Sequence, residues 1–341
     1  MEFLTEFGLF LAKMISIVIA LLVIVGSLAG LNQRSKKQEK GHIEVERLND
    51  EFDSMSEALE SNIVPAAEFK KRKKQKAKDA KLKAKAGNTA NRIFLLNFKG
   101  DMRAAAVSNL REEITAVLSQ ATQDDEIVIR LESAGGMVHS YGLASSQLDR
   151  IVKKGIPLTV CVDKVAASGG YMMACVADKI IAAPFSILGS IGVVAQMPNF
   201  HRLLKKHDVD YEMLTAGEYK RTLTMFGENT EKGREKFIED LEQTHDLFKD
   251  FVQQHRTEVD INNIATGEVW LGTKALEMKL VDDLKTSDEY LVEKMADADI
   301  YEVSYVHKKS LQEKVGLAAE NSADRLLMRW WSRLRGINFY S

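Results

Sequence analysis

From Arg92 onward, short apolar runs alternate with longer amphipathic stretches, and this alternation restricts the fold more than any other feature of the sequence. Residues 93–98, 126–131 and 158–162 read as strands, and residues 109–120 and 137–154 as helices. Successive strand-helix units of this length build a parallel sheet covered by helices, so an α/β fold is expected. In such sheets the loops at the carboxyl ends of the strands form the site.

The rest of the chain is modular. Its 341 residues, 45% hydrophobic and 28% charged with two cysteines and four prolines, exclude a disulfide-stapled miniprotein and a wholly disordered chain. The net charge of -2 conceals a segregation: residues 70–85 hold ten Lys or Arg against Asp79 alone, a local +9 that leaves -11 for the remainder. That block reads as a solvated linker or as a patch against anionic lipid headgroups; with no aromatic residue interleaved, no nucleic-acid partner is expected. Before it, Ile43, Val45, Leu48, Phe52, Met55, Leu59 and Ile63 recur at three-and-four spacing among acids, the pattern of an amphipathic helix or short coiled coil.

Residues 14–31 are eighteen uncharged, mostly apolar residues, just long enough as a helix to cross a hydrocarbon core. Glu2 and Glu6 precede them, whereas a cleaved signal peptide would carry positive charge there, so a retained single-pass anchor in the lipid bilayer is expected. Arg34, Lys36, Lys37, Lys40 and Arg47 follow the span, which by charge places the larger part in the cytoplasm. The second uncharged run, 180–200, holds Pro184, Gly189, Gly192 and Pro198 and reads as buried strands with turns. At 326–334, leucines and Trp330 and Trp331 share a helical face among arginines, which suits a membrane interface or packing on the core or another subunit. The expected divisions are an anchor (1–31), a juxtamembrane linker (32–90), a core (91–290) and a C-terminal extension (291–341).

Two core loops carry chemistry. After the second strand, Glu132, Ser133, Ala134, Gly135 and Gly136 place paired glycines before a helix, where backbone N–H groups can face a cavity; a plain turn has the same composition. After the third, Ser168, Gly169 and Gly170 lead into a helix, giving an accessible serine at the positive end of a helix dipole, or an ordinary N-cap. A serine nucleophile needs a base. Of seven histidines only His139 lies near either loop, and a desolvated lysine such as Lys220 could serve instead. Lys220 is expected to follow an apolar strand at 211–214. Cys161 and Cys175 lie in apolar runs and read as buried thiols, and no ligand spacing suggests a metal.

Taken together, ESAGG (132–136), DKVAASGGYMMA (163–174), GSIGV (189–193), GEYKRT (217–222) and ATGEVWLGTKALEMKLVDDL (265–284) resemble, in order, the S49 family of signal-peptide-peptidase-like serine proteases. The likeness is to the branch with a single anchor and an N-terminal extension, over about residues 90–290. It implies a ClpP/crotonase-like core and a Ser-Lys dyad with no cofactor and no metal. Residue by residue, Ser168 matches the nucleophile, Lys220 the general base and Ser190 the hydroxyl that orients the lysine, while Gly135 and Gly169 match the oxyanion-hole donors. Ala134 stands where the family often has proline, and Lys279 where it often has glycine. The resemblance also implies a homo-oligomer in a bacterial inner membrane, acting on peptides or membrane-protein segments, with the catalytic part on the outer face, against the charge-based orientation. An inactive membrane scaffold and a crotonase-type acyl-CoA enzyme are the alternatives on the same fold.

Overall fold

The computed structural model describes residues 7–11, 13–17, 41–85 and 91–307. Residues 43–305 form one compact unit. Among the described residues no helix is long and apolar enough to cross a membrane. The expected anchor at 14–31 lies outside the described residues from position 18 on, as does the tryptophan-bearing stretch at 326–334.

In chain order the elements are β1 (His42–Arg47), α1 (Leu48–Ile63), α2 (Ala66–Lys85), β2 (Asn91–Gly100), α3 (Val107–Leu118), β3 (Glu126–Ser133), α4 (Val138–Lys153), β4 (Leu158–Val162), β5 (Val165–Ala167), α5 (Gly169–Ala174), β6 (Lys179–Ala182) and β7 (Ile187–Gly189). There follow α6 (His201–Lys206), α7 (Glu231–His255), α8 (Ile261–Ile264), β8 (Val269–Leu271), α9 (Gly272–Glu277), β9 (Asp283–Leu284), α10 (Ser287–Lys294) and β10 (Ala298–Val306). The sheet runs β1-β10-β2-β3-β4-β6-β9, and a side branch carries β5 from β3 to β7 and on to β8. The pairings from β10 through β9 are parallel, and only the β7–β8 pair of the branch is antiparallel.

Parallel strands covered on both faces are apolar on both. In β2, Ile93 and Leu95 enter a core with Leu48 of α1 and Leu291 of α10. Phe94, Leu96 and Phe98 enter the larger core, which Leu110 and Ile114 of α3 and Leu148 of α4 complete. Each such Leu or Ile contributes about 1.5–3 kcal/mol by burial.

Two segments depart from the reading of the sequence, and the basic block gains a definite structure. Ile43 and Val45 lie in β1, and the helix begins only at Leu48. The sheet captures this stretch: Asn49 bonds to both Ala298 O (3.1 Å) and Ile300 N (2.8 Å) of β10, and Arg47 pairs with Asp299 (2.6 Å). The basic block forms the continuous helix α2, which returns along α1 through Lys73–Glu57 (2.7 Å). Residues 211–214, expected as a strand, are irregular and exposed. No described strand pairs with them, and Tyr211 instead meets the ring of Phe226 (5.8 Å), which itself stacks on Phe200. The run 180–200 does break into short strands, β6 and β7, with turns.

Candidate active site

The site forms where the sheet branches. Ser133, the last residue of β3, is level with Ala166 of β5, and β5 pairs with β7 from Val165–Ile187 to Ala167–Gly189. The three strand ends therefore deliver residues 133–136, 167–169 and 189–190 to one place.

Ser168 sits at the N-terminus of α5 with φ 51° and ψ -121°. Left-handed backbone costs a non-glycine residue about 1–2 kcal/mol and persists where the surroundings determine it. Here its N–H donates to Gly189 O (2.8 Å) and its carbonyl accepts from Met172 N–H (3.0 Å). The Ser168 Cβ lies beside the glycine loop. Gly135, at φ 87°, packs so closely that a Cβ there would lie 2.6 Å from Gly169 N and 2.7 Å from Ser168 Cβ. Gly169 carries the first amide of α5, which has no acceptor inside its own helix. The Gly135 N–H donates to Ser133 Oγ (3.1 Å).

Behind these loops lies Tyr141 of α4, fully buried, whose hydroxyl donates to Asp101 O (2.7 Å) and lies 2.5 Å from Ser133 Oγ. Burial pushes the phenol above its ordinary value, and the Ser133 bond opposes this only in part. In front, a mostly apolar cavity of about 370 Å³ opens on Ser168 and Gly169 between Val138, Met172, Val193 and Phe248.

Ser190 follows directly on Gly189, has φ 53°, and is held by its N–H on Glu268 O (2.6 Å). Lys220 is not brought to this place. It is exposed in the irregular stretch between α6 and α7, does not line the cavity, and among the described residues has no hydrogen bond to Ser168 or Ser190. His139 is exposed at the start of α4. His245 of α7, which nothing in the sequence singled out, reaches Ile191 O (3.2 Å) beside Ser190. Cys161 and Cys175 are buried, and burial pushes the Cys161 thiol up to about 12 and the Cys175 thiol higher still. Neither offers a thiolate.

Comparison with known proteins gives the family of the chain. The family described as "Peptidase family S49 N-terminal" matches residues 2–148, and "Peptidase family S49" matches residues 150–301. "Probable protease SohB" of Haemophilus influenzae is 49% identical, over 96% of this chain and 96% of its own. The chain belongs to peptidase family S49. A second S49 relative, "Probable protease SohB" of Buchnera aphidicola subsp. Acyrthosiphon pisum, is 45% identical over 96% of this chain and 98% of that one. Among solved structures, a mutant of the "1510-N membrane-bound stomatin-specific protease" in complex with a substrate peptide aligns at 13% identity and a TM-score of 0.39, over 66% of this chain and 96% of that one.

Within this S49 chain, then, the fold gathers Ser168, Gly135, Gly169 and the backbone of Ser190, and leaves Lys220 apart. The residues that the sequence reading missed are Ser133, Tyr141 and His245. Ser133 stood inside the ESAGG motif, and Tyr141 lay on the apolar face of a helix, where burial is the ordinary outcome.

Proposed function

We propose that this S49 chain is a serine endopeptidase in which Ser168 attacks a peptide carbonyl and Lys220 is the general base. The observation that carries the reading is the strained Ser168, set beside Gly135 and Gly169 at the mouth of an apolar cavity. Lys220 takes the Ser168 Oγ proton while Oγ bonds to the carbonyl carbon. The carbonyl oxygen becomes an oxyanion that the Gly169 and Gly135 amides stabilise, and Ser190 orients the lysine. The intermediate collapses by breaking the C–N bond, Lys220 gives its proton to the leaving amine, and water then hydrolyses the acyl-serine by the same relay. A side chain next to the scissile bond enters the cavity, which favours apolar residues. This fits peptides and membrane-protein segments as substrates.

A lysine acts as a base only where desolvation keeps its amine neutral. Lys220 is exposed in the single chain, and so are Val194, Met213, Leu214 and Phe226 of the surrounding stretch. Such a surface calls for a cover, and we assign it to neighbouring copies in a homo-oligomer that also bring Lys220 to Ser168. The apolar residues 14–31 would anchor this assembly in the membrane as a single span.

The separation of Lys220 from Ser168 favours one alternative, a membrane scaffold of the same fold without activity. Hydrolysis of fluorogenic apolar peptides by the full-length protein in detergent decides between them. The peptidase turns over substrate, and Ser168→Ala and Lys220→Ala each lower kcat by about 10³-fold or more. Absence of turnover in the intact oligomer favours the scaffold, and turnover indifferent to both substitutions refutes the dyad.

A further inference from the structure

We propose that Tyr141 and Ser133 are positioning residues that hold the two oxyanion glycines in register, an inference that rests on the peptidase chemistry proposed above. The hydrogen-bond directions follow from the groups themselves. Asp101 O is a carbonyl and only accepts, so the single Tyr141 hydroxyl proton is committed to it at 2.7 Å. Ser133 Oγ, 2.5 Å from the phenol oxygen, therefore donates to Tyr141. That leaves the Ser133 lone pairs to accept the Gly135 N–H at 3.1 Å. An oriented chain results, from the Gly135 amide through Ser133 and Tyr141 to the Asp101 carbonyl.

The far end of the chain is firmly fixed. Asp101 closes its own turn: its side chain accepts Arg103 N–H (3.1 Å) and Ala105 N–H (2.8 Å), and its carbonyl also accepts Ala104 N–H (3.0 Å). Gly100 leaves the room for the two hydroxyls, since a Cβ there would lie 2.5 Å from the Tyr141 oxygen and 2.6 Å from Ser133 Oγ. The ring of the same tyrosine packs on Gly169, where any added Cβ would meet the ring's Cγ first. One side chain thus backs Gly169 with its ring and Gly135 through its hydroxyl. Ser133 is 1% exposed and Tyr141 0%, so water does not substitute for either hydroxyl.

During the reaction the Gly135 amide is shared between Ser133 Oγ and the developing oxyanion, and the serine sets the direction from which that amide approaches. Oxyanion stabilisation is sensitive to such direction, and a misplacement of about 1 Å can cost about 10²-fold.

The test uses the full-length protein in detergent with Ser133→Ala, Tyr141→Phe and the double variant. Thermal melting checks folding, and active-site titration corrects for the fraction of competent sites. Readouts are kcat and KM for an apolar fluorogenic peptide, and the inhibition constant of a peptide aldehyde, whose hemiacetal with Ser168 puts an oxygen in the oxyanion position. Each single variant is expected to lower kcat about 10- to 100-fold, with KM little changed and aldehyde affinity lost in parallel. The double variant is expected to be no worse than the poorer single one, because both act through one chain. Unchanged or raised kcat, or a loss in KM alone, overturns the proposal. Ser168→Ala, measured alongside, separates the two levels. If it abolishes hydrolysis while Ser133→Ala and Tyr141→Phe leave kcat intact, the positioning role alone is wrong; if hydrolysis survives it, the peptidase chemistry and this role fall together.

Discussion

Gly135→Ala tests the placement of the oxyanion loop with one methyl group. At φ 87° an L residue costs about 1–2 kcal/mol more than glycine. The new Cβ would also lie 2.6 Å from Gly169 N and 2.7 Å from both Ala167 O and Ser168 Cβ, about 0.7 Å short of ordinary contact. These neighbours are backbone atoms or the root of the nucleophile, held by the β5–β7 pairing, so no flexible tip can yield. Either residues 133–136 or residues 167–169 must move by about that distance, at an overpacking cost of roughly 1–3 kcal/mol. Phe94, Leu96 and Ile114 of the larger core are not among the neighbours that this Cβ meets, and the variant should fold. A shift of this size between donor and nucleophile is expected to lower kcat/KM about 100-fold. Peptide hydrolysis normalised to folded protein, with melting temperature recorded in parallel, measures both effects. A folded variant with kcat/KM within about threefold of the parent would refute the argument that this backbone is close-fitted to Ser168.

Two further substitutions test the fold around the site. Lys279 follows α9 with φ 60°, a position where glycine is favoured, and its ion pair with Glu258 (3.5 Å) is exposed and weak. Lys279→Gly is therefore expected to stabilise by about 0.5–1 kcal/mol, seen as a rise of about 1–4 °C in melting temperature; a fall would show that the ion pair outweighs the backbone strain. Burial raises the carboxyl of Glu113 above its ordinary 4.5, and the bond from Tyr305 N–H offsets this in part. A folded value above the unfolded one means that stability falls as pH rises from about 4.5 through the folded value. Glu113→Gln keeps an acceptor for Tyr305 without the charge, so it should raise the melting temperature at pH 8 and leave it nearly unchanged at pH 4; the opposite pH dependence would contradict this.

The core strands were legible because a parallel strand buried on both faces has to be apolar throughout, and Leu158–Val162 is such a run with the same ends in sequence and structure. Residues 43–47 were misread because three-and-four spacing and strict alternation overlap over so short a stretch, and the deciding contacts come from Asp299 and Ile300, some 250 residues away. The serine and glycine loops were visible as motifs, whereas their meeting depends on the β5 branch, which pairs only three residues with β7 and leaves little trace in composition. The chain through Ser133 and Tyr141 was hidden for a related reason: it joins a strand end to a helix face and ends on the backbone carbonyl of Asp101, and carbonyls have no sequence signature. Lys220 shows the limit most clearly. Its motif position was readable, but the chain leaves it exposed, as it leaves Val194 and Leu214 of the same stretch.

In the proposed dyad Ser168 is the nucleophile and Lys220 activates it. A fluorophosphonate probe reacted with the full-length protein, followed by mass spectrometry of the digest, locates the reactive oxygen directly. The account predicts a single adduct on the peptide containing Ser168, forming at least about 100-fold more slowly in Lys220→Ala. An adduct on a different serine, or labelling of Ser168 at an undiminished rate without Lys220, would contradict it.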